Sequence, residues 1–165
     1  MKLIFLVLLL LSMMNATVVA QQKDTTRWYQ KLPACPCRNP DFNGVKLNDG
    51  WAKDKGNLAK YHKGATASFR SYPAVKTEEG KSCQQCCYDS KGDLIVSGRA
   101  AGTLDKKSAC SGEDKNGLMT VRYFGLIGHY FKDVKPWNNL MKKDTAGWKA
   151  YNALWIPNNG NHCGL

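Results

Sequence analysis

Gln84-Gln85-Cys86-Cys87-Tyr88-Asp89 runs into Ser90-Lys91-Gly92-Asp93 and then Leu94-Ile95-Val96. Two short runs, Gln84–Asp89 and Leu94–Ser97, flank four residues of turn chemistry, which reads as a β-hairpin. Leu94-Ile95-Val96 has high strand propensity. Cys86 and Cys87 are adjacent and do not bond each other, because that ring strains the peptide. They are expected to reach two different partners and pin the hairpin from both faces.

Away from the hairpin the chain is loop-rich. Pro33, Pro36 and Pro40 forbid a helix near Cys35-Pro36-Cys37. Residues 41–58 carry Gly, Asn and Asp and read as loops. Lys60–Tyr72 is short and mixed, and 98–117 is again loop-like. Leu118–Phe124 alternates well enough for a strand. Gly125–Val134 is apolar and aromatic, and Pro136 is expected to stop it. A last helix is expected beyond Asp144 or Thr145 as cap, with Trp148, Tyr151 and Trp155 at i, i+3 and i+7 on one packed face. The predicted fold class is therefore α+β: a small disulfide-stabilised extracellular domain with a central β-hairpin, short strands, a C-terminal helix and much irregular loop.

The N-terminus sets the compartment. Met1-Lys2 precedes an apolar run from Leu3 to Leu11, and Ala16, Val18 and Ala20 supply small residues before Gln21. This is the layout of a signal peptide over 1–20, cleaved after Ala20. The run is shorter than the ~20 residues that span a bilayer. A leader over 21–31 and one domain over 32–165 follow, with no transmembrane segment. The expected location is secreted and extracellular, where thiols pair. The sequon Asn15-Ala16-Thr17 falls within the signal, so no ordinary N-glycan is expected.

The 165 residues hold seven cysteines: Cys35, Cys37, Cys83, Cys86, Cys87, Cys110 and Cys163. An odd count leaves one thiol over, free or available for a covalent homodimer, and the spacing does not determine connectivity. Zinc is the rival use, through Cys35/Cys37, Cys83/Cys86/Cys87 and His162-Cys163. Secretion favours oxidation, so no metal and no cofactor is expected.

The formal net charge is +11, from 24 Lys and Arg against 13 Asp and Glu. No long basic run occurs, which argues against a heparin-type motif. A secreted basic protein meets sulfated glycans, anionic lipids and acidic proteins rather than nucleic acid. Catalysis finds little to stand on. There are three histidines, no Gly-x-Ser-x-Gly elbow, no phosphate-binding glycine loop and no obvious carboxylate pair. Asp89, Asp93, Asp105 and Asp133 read as turn caps or partners of lysine. No catalytic residue is expected.

One set of strings is specific enough to name. Tyr61-His62-Lys63-Gly64-Ala65, Arg70-Ser71, Gly80, Gln84-Gln85-Cys86-Cys87-Tyr88-Asp89, Gly92-Asp93-Leu94 and Gly102-Thr103-x-Asp105 resemble the core of the AMOP domain. His129 with Asp133-Val134-x-Pro136 is similar to a later signature of that family, and Leu32-Pro33-Ala34-Cys35-Pro36-Cys37 to its start. The resemblance implies an extracellular, cysteine-rich, adhesion-associated domain without established catalytic residues. It is broken where the family has cysteines and this chain has Ser68, Leu140-Met141 and the region of Trp148. Cys83 and Cys110 are not required by the pattern. Family bridges have therefore been lost or rewired, and the apolar Leu140, Met141 and Trp148 suit the vacated space.

Two functions compete on these grounds. The first is a non-enzymatic extracellular interaction module binding a cell-surface or matrix protein or glycan. The alternative is a secreted basic effector, of defence or signalling, acting on anionic glycans or membranes.

Overall fold

The computed structural model describes residues 27–40, 50–113, 119–121, 123–142, 146, 149 and 160–164. The expected signal peptide, the sequon, and Trp148, Tyr151 and Trp155 with their cap lie outside the described residues. The fold is α+β, with a small antiparallel sheet, a helix late in the chain, irregular loops and disulfides.

The Gln-Gln-Cys-Cys-Tyr string is the middle of the sheet. Strand β4 spans Gly80–Tyr88 and is buried from Ser82 onward. It pairs antiparallel with β2 (Ala67–Ser71), β3 (Val75–Thr77) and β5 (Leu104–Asp105). Strand β1 (Trp51–Lys53) adds to β2. A separate ribbon joins β6 (Cys110–Glu113) to β7 (Met119–Val121).

The hairpin is present but short: the Asp89 amide bonds Asp93 O at 3.0 Å and the Ile95 amide bonds Cys87 O at 2.9 Å. The turn exists: Asp89 Oδ1 accepts from the Lys91 and Asp93 amides at 2.8 and 2.9 Å. Its second arm does not become a strand. Leu94 makes an isolated bridge with Tyr88, and its amide donates to Cys37 O. The partner that β4 takes over Gln85–Tyr88 is β2, which lay hidden in the mixed Lys60–Tyr72 segment. Likewise β1 falls in the stretch read as loop over 41–58, because Trp51 and Ala52 are buried beside β2. Strands β5 and β6 fall in the supposed loop 98–117. Each strand here is short and is fixed by its neighbour rather than by its own composition.

The sheet has two unlike faces. Register places Ala67 opposite Tyr88 and Phe69 opposite Cys86 on one face. There Cys35, Trp51, Phe69, Cys86, Tyr88 and Leu94 form the apolar core, with Phe69 and Tyr88 edge-to-face at 5.9 Å. On the other face Ser68 stands opposite Cys87, Arg70 opposite Gln85, and Asp105 opposite Cys83. All six are buried. A strand buried on both sides loses the alternation that would announce it.

The apolar Gly125–Val134 stretch, to which sequence alone assigns no secondary structure, is helical. Helix α2 (Tyr123–His129) continues through a π turn (Tyr130–Val134) into α3 (Lys135–Met141). Pro136 does not stop it. The proline sits in the first turn of α3, after Lys135 and the wide turn, where its missing N–H and its ring are accommodated. A short helix, α1 (Leu58–Tyr61), is capped by Asn57, whose side chain accepts from the Lys60 amide at 3.0 Å.

The cysteines separate by face. Cys35–Cys86 lies in the apolar core, and Cys37–Cys163 joins the two ends of the domain across 126 residues. A bridge of that span contributes on the order of 2–4 kcal/mol. Cys83 and Cys87 are buried free thiols, and the Cys110 side chain lies outside the described residues. So Cys87 does not reach a second cysteine, contrary to expectation. The pleat sends it away from Cys86, to face Ser68, and the two side chains are hydrogen-bonded. Burial pushes the Cys87 thiol up to about 12, which keeps it unreactive. Ser68 is the position where the sequence departs from the family's cysteine. Ser68→Cys is therefore expected to restore a cross-strand bridge to Cys87. Thiol titration of the denatured variant should find one thiol fewer than the parent. The urea midpoint should rise by the equivalent of about 2 kcal/mol, net of the hydrogen bonds Ser68 gives up.

Candidate functional site

The polar face of the sheet is the floor of a pocket of about 390 Å³, roofed by the late helix. Arg70 from β2 is its hub. Arg70 Nε lies 3.1 Å from Asp54 Oδ1, and its Nη1 pairs with Asp105. All three side chains are almost wholly buried. Gln85 from β4 donates to Asp54 Oδ2 at 2.6 Å and to Ser68 Oγ at 3.1 Å, and accepts from Thr103 Oγ1 at 3.0 Å. Burial raises the Asp54 carboxyl, but the Arg70 charge and hydrogen bond, with Gly56 N–H and Gln85, bring it below the usual carboxylate range. Burial tends to lower the Arg70 guanidinium. Asp54 and Cys83 outweigh that and raise it.

His62 follows α1 and is buried against this floor. Its Nδ1–H donates to Ala101 O at 2.8 Å. Burial pulls the imidazole below its ordinary value of 6.5, against the hydrogen bond that favours the charged form. A histidine depressed in the fold contributes stability above its unfolded value and loses it as acid forces a proton into the folded state. The urea midpoint is accordingly expected to fall as pH drops below 6.5. His62→Asn should flatten that dependence while keeping an N–H for Ala101 O. An unchanged slope in the variant would refute the assignment.

The helix side is held by the two residues of the late signature. Asp133 Oδ1 accepts from Lys106 N at 2.8 Å and its Oδ2 from Lys107 N at 3.1 Å. His129 Nδ1 lies 3.0 Å from Lys107 O and 3.2 Å from Asp133 Oδ2. The spacing i, i+4 puts both on one helix face, so together they clamp the helix to the chain after β5. This corrects the reading of the carboxylates. Asp89 is a turn cap as expected, whereas Asp105 pairs with a buried arginine and Asp133 caps backbone amides. Aromatic and apolar side chains form the rim: Tyr61, Leu58, Leu126, Tyr130, Val134 and Trp137. Tyr61 and Trp137 meet edge-to-face at 5.5 Å.

Among the described residues two groups have metal-like donor spacing. In Cys37, His162 and Cys163 the sulfurs are joined to each other, and His162 Nε2 bonds Cys35 O at 2.7 Å. In Asp105, His129 and Asp133 the oxygens already serve Arg70 and two backbone amides, and Nδ1 carries its hydrogen toward Lys107 O. Neither set fits a resident ion.

The named strings therefore divide. Tyr61, His62, Gln85, His129 and Asp133 converge on the pocket from three separate segments. Gln84, Tyr88, Asp89, Gly64, Ala65 and Pro136 do not line it. Tyr88 packs in the core and donates to Pro36 O at 2.9 Å. Gln84 is buried, and its Nε2 reaches Gln85 O at 3.4 Å. Gly64 and Ala65 shape the turn after α1, where the Ala65 amide bonds His62 O. Asp54, Leu58, Trp137 and Tyr130 were not singled out from sequence. The recurrence of Leu126, Tyr130 and Val134 every fourth residue was the available signal for the last of these.

No solved structure matches this fold. A family model described as the AMOP domain matches residues 13–164. That family is extracellular and adhesion-associated, and no helix among the described residues is long and apolar enough to cross a membrane. With nearly the whole sequence matched, the chain belongs to the AMOP domain family.

Proposed function

We propose that this protein is a secreted, non-enzymatic interaction module that holds an extracellular partner through the pocket between the sheet and the late helix. The observation that carries the reading is the convergence of Tyr61, His62, Gln85, His129 and Asp133 on one open cavity with an aromatic rim. A cavity of that size admits a single side chain or sugar-sized group, which is how a small domain anchors a larger surface. What supports binding rather than reaction is the state of the floor. Its carboxylates are engaged by Arg70, Gln85 and backbone amides, so they orient and shape the cavity instead of offering a free base.

Saturable binding of the labelled protein to cells or matrix extracts is the expected result. Tyr61→Ala combined with Tyr130→Ala should weaken it about tenfold or more, since aromatic rim residues dominate such contacts. Substitution at Lys91, in the distant Asp89–Asp93 turn, should not. Absence of saturable binding, or equal binding by the rim variant, would remove the reading.

A further inference from the structure

The first half of the late helix turns small and polar residues toward the domain, whereas Val134 and Trp137 in its second half pack inward at the cavity. A Cβ on Gly125 would lie 3.3 Å from Ala109 O, and one on Gly128 would lie 3.0 Å from the Lys107 side chain, so both glycines face the domain at close range. His129 and Asp133 point the same way. The outward residues are large and apolar: Leu126 is 45% exposed, Ile127 38%, Tyr130 48% and Phe131 59%. They are the exposed large hydrophobic side chains of the described residues. A contiguous apolar edge of this kind marks an interaction surface.

Its surroundings are basic. Lys106, Lys107, Lys132, Lys135 and Lys142 lie along this helix or directly beneath it. Lys135 Nζ stands 5.6 Å over the Phe131 ring. Among the described residues the carboxylates on this side are Glu79, shared by Lys106 and Lys132, and Asp133, turned inward onto backbone amides. We propose that this helix edge docks the protein on an anionic lipid surface, with Ile127 and Phe131 entering the headgroup boundary and the helix's own Lys132, Lys135 and Lys142 facing the lipid phosphates and carboxylates.

Charge complementarity decides the occupant. The core of a protein–protein contact is depleted in lysine, whereas an anionic bilayer offers an apolar layer and negative charge together. A second copy is disfavoured, because a self-complementary contact would set these lysines against each other on two chains of formal charge +11. Leu126 to Phe131 covers about 8 Å of helix, far short of a span. The inference does not rest on the pocket reading, since Ile127 and Phe131 do not line the cavity.

The test is co-sedimentation of the intact protein with vesicles of phosphatidylcholine mixed with phosphatidylserine, against phosphatidylcholine alone. Binding is expected to the mixed vesicles and to weaken with added salt. Ile127→Asp with Phe131→Asp should reduce it at least about tenfold, with the urea midpoint unchanged. Should that pair disturb folding, Lys135→Glu carries the same expectation. Binding unaffected by these variants, no preference for phosphatidylserine, or self-association through this edge in sedimentation equilibrium without lipid would overturn the proposal. Cell binding that survives the Ile127/Phe131 variant but not Tyr61→Ala alone, together with vesicle binding that survives Tyr61→Ala, would support a lipid edge separate from the pocket.

Discussion

Replacing Arg70 with methionine is expected to destabilise the protein by about 3–5 kcal/mol at neutral pH, the usual cost of leaving buried charge without its partner. Methionine fills much of the same volume, so the loss is electrostatic. Asp54 and Asp105 would remain beneath the helix with no cation between them. The sign of the pH dependence is a second readout. In the parent, Asp54 is depressed, so its contribution is present above about 3.8 and is lost as pH falls below that value. Without Arg70 only burial and the weaker hydrogen bonds act on Asp54, and burial raises it. The folded variant then binds protons more readily than the unfolded chain and gains relative stability as pH falls. Urea unfolding of parent and variant at pH 7 and pH 4 should show the gap narrowing with acid. A variant within 1 kcal/mol of the parent at pH 7 would mean that the ion pairs do not hold this face.

Gly102→Ala should be comparably damaging, about 4 kcal/mol, for a different reason. A Cβ there would fall 2.7 Å from the Gln85 carbonyl carbon and 2.9 Å from Cys86 Cα. Both are backbone atoms of the central strand, so no rotamer change relieves the overlap. Gly98 is the control. It has φ +75° and nothing within 4 Å of an added Cβ, so alanine there meets only the left-handed backbone penalty of about 1 kcal/mol. Thermal unfolding of the two variants side by side separates space from backbone freedom. Equal shifts would refute the close-packing account. Because Thr103 and Asp105 follow Gly102 into the pocket floor, its variant should also lose the partner binding proposed for the rim.

These two residues show where sequence reading stopped. Arg70 and Gly102 both stand in the strings that resemble the family, yet nothing local tells a buried ion-pair hub from a surface arginine, or a packing glycine from a loop glycine. The main partner of the central strand was missed for a similar reason. Turn chemistry at Asp89–Asp93 is local and is present in the structure, whereas the strand pairing with Gln85–Tyr88 depends on Ala67–Ser71, a segment without strand character of its own. Pro136 misled in the opposite direction, because a π turn ahead of it lets the helix continue.

Composition and motif strings alone determined the α+β class, the family, the turn at Asp89–Asp93 and the reliance on disulfides, since these follow from residue type and short-range spacing. Tertiary structure decided which cysteines bond, which face of the central strand is apolar and which polar, and that Asp54, His62, Arg70, Gln85, His129 and Asp133 share one cavity. Pleat and register send neighbouring residues such as Cys86 and Cys87 to opposite sides of the sheet, and bring together residues scores of positions apart. Such proximity is a property of the packed chain, and no single segment of it carries that information.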